Sequence, residues 1–300
     1  MRILVTGAGG QLGRDVVDVL SGAVPSGGRR RPVPVGGSAI EAVGTDHSRL
    51  DVTDRSAVGA VVEAVRPDIV VHCAAWTAVD GCEADPDRAF ATNALGTRHV
   101  AEAAYRQGAH VVYISTDYVF DGSSSRPYVE WDAPHPRSVY GRSKLGGEQE
   151  LDDRATIVRT SWVCGAHGAN MVGTVLRLAQ GDGPLRFVDD QRGSPSFTAD
   201  LAGTVAVLAT ERLPGVFHVT NQGEASWYEF AGAVLAAAGQ DPGRVEAIST
   251  AELDPPRPAP RPAYSVLDNA ALRLAGMALL PDWHEALDRL VSALDLPVAR

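Results

Sequence analysis

Two kinds of hydrophobic spacing alternate along the chain. Residues 2–6 (R-I-L-V-T) form a short apolar run that stops at Gly7, and a helical pattern follows from Asp15 to Leu20. A short apolar run bounded by glycine reads as a buried strand, whereas a 3.6-residue period reads as a helix. The alternation continues. A-I-E-A-V-G-T-D (39–46) reads as a second strand and Asp54 to Val65 as a helix. P-D-I-V-V-H-C-A-A (67–75), bounded by Pro67, reads as a third strand. Asp87 to Gln107 reads as a helix that delivers H-V-V-Y-I-S-T-D (110–117), a fourth strand. Strands alternating with helices of this length imply a parallel, doubly wound sheet. Beyond a helix around Tyr140, A-T-I-V-R-T-S-W-V (155–163) and G-V-F-H-V-T (215–220) read as two further strands.

The later residues change character. Trp227 to Ala238 is an alanine-rich helix, D-P-P-R-P-A-P-R-P (254–262) a proline-rich crossing segment, and Asp282 to Leu294 a final amphipathic helix. The Gly, Pro and Arg content of 21–38 marks an exposed loop. The expected fold class is α/β: a Rossmann-type doubly wound parallel sheet with a smaller C-terminal α/β lobe. Residues 1–162, with about 196–221 returning to the sheet, make the first domain. About 163–195 and 222–300 make the second. A ligand cleft is expected between them.

Composition narrows the partners. With 45% hydrophobic and 21% charged residues in 300, a sizeable core is affordable, and the composition argues against wholesale disorder. A net charge of -10 and a pI near 5.2 argue against nucleic acid or an anionic membrane. A phosphorylated ligand stays open, because a helix N-terminus binds phosphate even in an acidic protein. Cys73, Cys82 and Cys164 contain no C-x-x-C pair, which fits a reducing cytoplasm. The eight histidines show no H-E-x-x-H pattern, so no metal site is expected. Residues 1–6 lack a basic n-region and cleavage site, and no apolar run reaches membrane-spanning length.

Gly7, Gly10 and Gly13 give G-x-x-G-x-x-G between the first strand and its helix. The first glycine permits the tight turn, the second a close approach to a pyrophosphate, and the third tight helix–strand packing. In that setting the pattern points to a dinucleotide, NADPH or NADH. Asp46, ending the second strand, is placed for the adenosine ribose, although it lies farther from Gly13 than the usual ~20 residues. Its charge disfavours a 2′-phosphate. Arg49, or the Arg29–Arg31 run folded inward, would offset that and admit NADPH.

Tyr140 and Lys144 stand at i and i+4 in S-V-Y-G-R-S-K, on one helix face. A lysine beside a phenol favours the phenolate and lowers its pKa from ~10 toward neutrality, where proton transfer is most efficient. Thr116, or Ser115 beside it, is placed to hold the oxygen whose bonding changes. Y-x-x-x-K alone is common; the glycine turn and S-T-D ahead of it make it informative.

Those three motifs in that order resemble the extended short-chain dehydrogenase/reductases. Several longer runs narrow the resemblance to the dTDP-4-dehydrorhamnose reductase family: T-G-A-G-G-Q-L-G (6–13), A-A-W-T-A-V-D-G-C-E (74–83), S-T-D-Y-V-F-D-G (115–122), V-Y-G-R-S-K-L-G-G-E (139–148), R-T-S-W-V (159–163), D-D-Q-R-G-S-P (189–195) and R-P-A-Y-S-V-L-D (261–268). The resemblance implies that Gly10, Gln11, Leu12 and Gly13 line the pyrophosphate, and that Asp51 and Val52 lie near the adenine. It sets Ala74, Ala75 and Trp76 along the nicotinamide side and makes Thr116, Tyr140 and Lys144 the catalytic trio. Thr77, Asp117 and Trp162 would face a nucleotide-sugar, with a buried core aromatic as the other reading of Trp162 and a turn cap as that of Asp117. The activity implied is reduction of a dTDP-sugar C4 ketone by a cytoplasmic monomer or homodimer.

Departures are Cys164 after W-V where the family has an aromatic, the long 21–38 stretch, and Ala293 where some relatives hold magnesium through an acid; that ion is not carried over. Other readings left open are a reductase of another dTDP-deoxysugar such as the dihydrostreptose precursor, a nucleotide-sugar epimerase, or a non-catalytic NADP-binding regulatory subunit.

Overall fold

A computed structural model of the chain describes residues 1–29 and 39–294. Five strands carry the first half: β1 (Arg2–Thr6), β2 (Glu41–Thr45), β3 (Ile69–His72), β4 (His110–Thr116) and β5 (Thr156–Thr160). Helices α1 (Gln11–Leu20), α2 (Arg55–Val65), α3 (Val79–Ala84), α4 (Pro86–Phe90), α5 (Gly96–Arg106) and α6 (Val139–Gln149) connect them. A Gly215–His218 strand completes a parallel sheet of six, ordered Gly215–His218, β5, β4, β3, β1, β2. The chain leaves β1 for β2 on one side and returns to β3 on the other. Such a switch point opens a crevice at the carboxyl ends of the strands, where α/β sheets bind ligands.

Period-two alternation explains the layering. Ile3 and Val5 face α1 and α8 (Thr198–Thr210) in one core, whereas Leu4 faces the residues of α2 and α5 in the other. Asp54 caps α2 by accepting from the N–H groups of Ser56 and Ala57. A third core joins α7 (Met171–Leu178), α9 (Trp227–Ala237) and α11 (Trp283–Ala293) around Phe230 and Trp283. A parallel pair, Leu185–Val188 with Val245–Ile248, lies beside it. Ser226 and Glu229 form a capping box on α9. Among the described residues no helix is long and apolar enough to cross a membrane.

The expected elements appear with two changes. The helix read over 87–107 is divided into α4, a π-helical turn at Ala91–Leu95, and α5. Asp85 accepts from Arg88 N–H and Pro86 opens α4, which makes a fresh start there. The Asn93 carbonyl accepts from the Thr97 and Tyr113 hydroxyls, so a side chain competes within the helical ladder. The strand read over 155–163 ends at Thr160 because Trp162 takes a left-handed backbone, φ 46°. Arg30, Arg31 and the rest of 30–38 lie outside the described residues.

Candidate active site

The glycine turn leads straight from β1. Gly7 has φ +69°, and a Cβ there would stand 2.6 Å from the backbone N of Ala74. A Cβ on Gly13 would collide with the Gly7 carbonyl. Gly10 caps α1 without any side-chain hydrogen bond, and the first turn carries no acid, so the helix presents N–H groups to an anion. The cradle fits a pyrophosphate.

Beside it opens a cavity of about 760 Å³ lined by Gly7, Gly10, Asp46, Asp51, Val52, Ala74, Ala75 and Trp76. Asp46 follows β2 directly. Its Oδ1 accepts from Ser48 Oγ at 2.6 Å and from the backbone N–H groups of Ser48 and Arg49. The Ser48 hydroxyl, foremost, holds this carboxyl below its ordinary range, and Oδ2 remains for a ligand. The Arg88 guanidinium lies 4.4 Å from the centre of the Trp76 ring.

A second cavity, about 450 Å³, shares Gly7, Gly10 and Ala75 with the first and gathers Gln11, Leu12, Gly13, Thr77, Thr116, Asp117, Tyr140, Lys144 and Trp162. Sequence positions from 7 to 162 thus meet around one space. Gln11 has its side-chain amide engaged, donating to the Ala169 carbonyl at 3.2 Å and accepting from Asn170 at 3.0 Å. The 165–170 loop is thereby tied to the glycine turn.

Helix α6 presents Tyr140 and Lys144. Ser138 caps it, and Glu83 from α3 accepts from the Val139 N–H at 2.7 Å. Gly141 is required because a Cβ would collide with the Tyr118 carbonyl. The Tyr118 ring meets Tyr140 edge-on, centroids 5.5 Å apart.

Electrostatics here departs from the sequence expectation. Burial pushes the Tyr140 phenol well above its usual value, with the Thr116 hydroxyl pulling the other way. Lys144 does not reverse this. Its Nζ donates to the Ile114 carbonyl at 2.7 Å and sits 4.0 Å from the Tyr113 ring centre. Burial brings the amine itself down to about 7, against the pull of Glu148. The spacing of the pair is legible in sequence; the loss of solvent around both groups is not, and it is the largest cause of each shift.

Asp117 is also buried, which raises its carboxyl to about 6 while nearby hydroxyls of Ser265, Thr116 and Ser161 act against the shift. Its Oδ1 accepts from Thr116 Oγ1 at 3.1 Å, but among the described residues Oδ2 closes no hydrogen bond. Among the described residues Thr160 Oγ1, on the same cavity wall, is likewise buried without a partner. Buried polar atoms are nearly always paired, so this cluster is shaped for a polar ligand.

Sequence reasoning missed the supports. Glu148 and Arg159 form a buried fork, Nε–Oε1 3.0 Å and Nη2–Oε2 2.7 Å, and Ser115 Oγ donates to the same Oε1 at 2.5 Å. Three elements, β4, β5 and α6, are locked directly behind Thr116 and Lys144. Asn93, in the π-helical turn, exchanges hydrogen bonds with the backbone of Trp76 and donates to Ser143, which donates to the Tyr140 carbonyl. Such turns recur at functional sites.

A third chamber was missed as well. It measures about 330 Å³, meets the second cavity at Tyr118 and Trp227, and carries Arg186, Gln191, Arg257 and Arg261. At the junction the Trp162 and Trp227 rings stack with centroids 3.5 Å apart and planes 6° from parallel. Gly193 leaves space for Trp162, since a Cβ would come within 2.5 Å of its Nε1. Trp162 is therefore a half-buried wall of the cavity rather than an interior core residue. D-D-Q-R-G-S-P and R-P-A-Y-S-V-L-D contain Gln191, Gly193 and Arg261, so the motifs were visible although their roles were not.

The family model described as the RmlD substrate binding domain matches residues 1–296. The chain belongs to that family. A curated relative, dTDP-4-dehydrorhamnose reductase of Streptomyces griseus, is 43% identical over 98% of this chain and 94% of its own length. The RmlD-family chain also superposes on the crystal structure of a dTDP-4-dehydrorhamnose reductase from Clostridium acetobutylicum, with a TM-score of 0.89, 40% identity and coverage of 99% and 100% of the two chains. A dTDP-4-dehydrorhamnose reductase from Bacillus anthracis, solved in complex with NADP, matches with a TM-score of 0.86, 38% identity and coverage of 96% and 98%.

Proposed function

We propose that this protein uses NADPH or NADH to reduce the C4 ketone of dTDP-4-dehydro-6-deoxy-L-mannose, giving dTDP-L-rhamnose. One observation carries the reading: Thr116, Tyr140 and Lys144 line a cavity that runs into the glycine cradle on one side and the arginine chamber on the other. Gly10 to Gly13 would hold the pyrophosphate, Asp46 the adenosine ribose, Asp51 and Val52 the adenine, and Ala74, Ala75 and Trp76 the nicotinamide side. When bound, the reduced nicotinamide supplies a hydride.

The chain's own groups manage the carbonyl oxygen. Tyr140 carries the proton, and its upward shift keeps the phenol protonated until negative charge builds on the oxygen beside it. Thr116, its hydroxyl turned from Asp117 Oδ1 to the substrate, would donate a hydrogen bond to that oxygen, the kind of dipole that stabilises a developing alkoxide. Lys144, an amine near 7 on the same helix face, sits ready for the cofactor ribose. Asp117, Thr77 and Trp162 would face the sugar, and the arginine chamber would take the dTDP diphosphate, whose charge guanidinium forks match.

The proposal divides the protein into a dinucleotide-binding domain, 1–162 with about 196–221, and a nucleotide-sugar lobe, about 163–195 and 222–300. It has the enzyme working in the cytoplasm as a monomer or homodimer. The test is loss of nicotinamide absorbance with dTDP-4-keto-6-deoxysugars, using NADH and NADPH in parallel. Turnover yielding dTDP-L-rhamnose is expected. Purified protein that carries tightly bound NAD and interconverts sugars without consuming reductant would instead make it an epimerase.

A further inference from the structure

Asp80 lies in α3, outside the walls of all three cavities, yet it is among the most heavily bonded carboxylates of the molecule. Its Oδ1 accepts from Arg261 Nη1 at 2.5 Å and from the Ala259 N–H at 3.1 Å, and its Oδ2 accepts from Arg261 Nη2 at 2.8 Å. Arg257 Nη1 stands 3.6 Å from the same Oδ2. Both arginines and Ala259 belong to the proline-rich 254–262 segment, about 180 residues away in sequence. The Arg261 fork, foremost, pulls the Asp80 carboxyl down to about 2, so it stays ionised throughout the neutral range.

The geometry leaves part of Arg261 available. Asp80 and the Ala259 carbonyl take donors on Nη1 and Nη2, and among the described residues Nε–H forms no hydrogen bond. Its guanidinium lies beside the Tyr118 hydroxyl. Arg261 and Arg257 line the third chamber with Arg186, and among the described residues no acidic side chain lines it. Three arginines buttressed by one carboxylate behind the wall leave a net double positive charge, the complement of a diphosphate. A guanidinium held by one edge offers the other as a fixed fork, whereas an untethered arginine must give up its rotamer freedom when an anion binds.

We propose that Asp80 is a positioning residue for the nucleotide-sugar: it fixes Arg261, and draws Arg257 in by charge alone, so that the outward N–H groups of Arg261 grip the substrate diphosphate. The inference rests on the reductase reading. It predicts that fixing geometry matters more than the repulsion between Asp80 and the anion.

The experiment compares Asp80→Asn with wild type, both loaded with NADPH, after confirming equal Tm. KM for the dTDP-keto sugar should rise about tenfold, equivalent to ~1.4 kcal/mol, while kcat and KM for NADPH stay within twofold. Calorimetry should show the preference for dTDP over dTMP shrinking by a similar factor. Arg261→Lys, which keeps charge but loses the fork, should reproduce the effect and add little to Asp80→Asn in the double variant. An unchanged or lowered KM in Asp80→Asn overturns the proposal, as does equal loss of dTDP and dTMP affinity. If Asp80→Asn does not fold, Arg261→Lys with unchanged dTDP affinity overturns it alone. Wild-type protein that binds dTDP but reduces no keto sugar would overturn the reductase reading instead, and calorimetry would still decide the role of Asp80.

Discussion

Glu148→Gln separates a supporting ion pair from mere surface charge. The two side chains are 4% and 6% exposed, so bulk solvent does not readily replace the carboxylate. The variant leaves the guanidinium charged in the core with a neutral amide before it. Removing one partner of a buried pair costs ~3–5 kcal/mol. At about 2–4 °C for each kcal/mol in a chain of this order, Tm should fall by about 6–20 °C. Thermal and urea unfolding followed by circular dichroism measure it. The double change Glu148→Leu with Arg159→Met should recover much of the loss, since an apolar replacement leaves no orphan charge. Turnover should stay low in the double variant because Ser115 loses the anchor that sets Thr116. A single variant melting within about 1 °C of wild type, or a double variant less stable than the single, would refute the reasoning.

Tyr140→Phe should lower kcat by about 10²–10⁴-fold while NADPH affinity persists, and stopped-flow traces with near-normal turnover would remove the phenol from its role. Asp117→Asn tests burial through pH. A carboxyl raised from 3.8 to about 6 in the folded state destabilises the native protein as pH climbs through that interval, by ~3 kcal/mol in total. The variant should therefore exceed wild type in urea stability above about pH 6 and match it below about pH 4; a gain confined to acid would contradict the assignment. Gly193→Ala should displace Trp162 and raise KM for the sugar nucleotide without touching NADPH binding, with tryptophan fluorescence reporting the shift. An unaltered emission spectrum and KM would show that the Trp162–Gly193 contact is dispensable.

What the sequence made legible follows from local spacing. Gly7, Gly10 and Gly13 announce themselves because a turn, a close approach and a helix contact must fall within seven residues. Tyr140 and Lys144 do so because one helix face fixes their offset. The arginine chamber could not be read that way, because Arg186, Arg257 and Arg261 come from separate segments that meet only in the packed chain. The Asn93 turn stayed hidden because 87–107 keeps helical periodicity through the π segment. The Tyr140 shift runs opposite to the sequence expectation for a related reason: the offset to Lys144 is written in the spacing, whereas the depth of burial is a property of the closed cavity.

The most direct measurement is a single assay: purified protein, NADPH or NADH, and dTDP-4-dehydro-6-deoxy-L-mannose, with absorbance at the nicotinamide band and the product resolved by nuclear magnetic resonance. Equimolar loss of reduced cofactor and appearance of dTDP-L-rhamnose is the predicted result. Cofactor bound but not consumed, with the ketone recovered intact, would contradict the account.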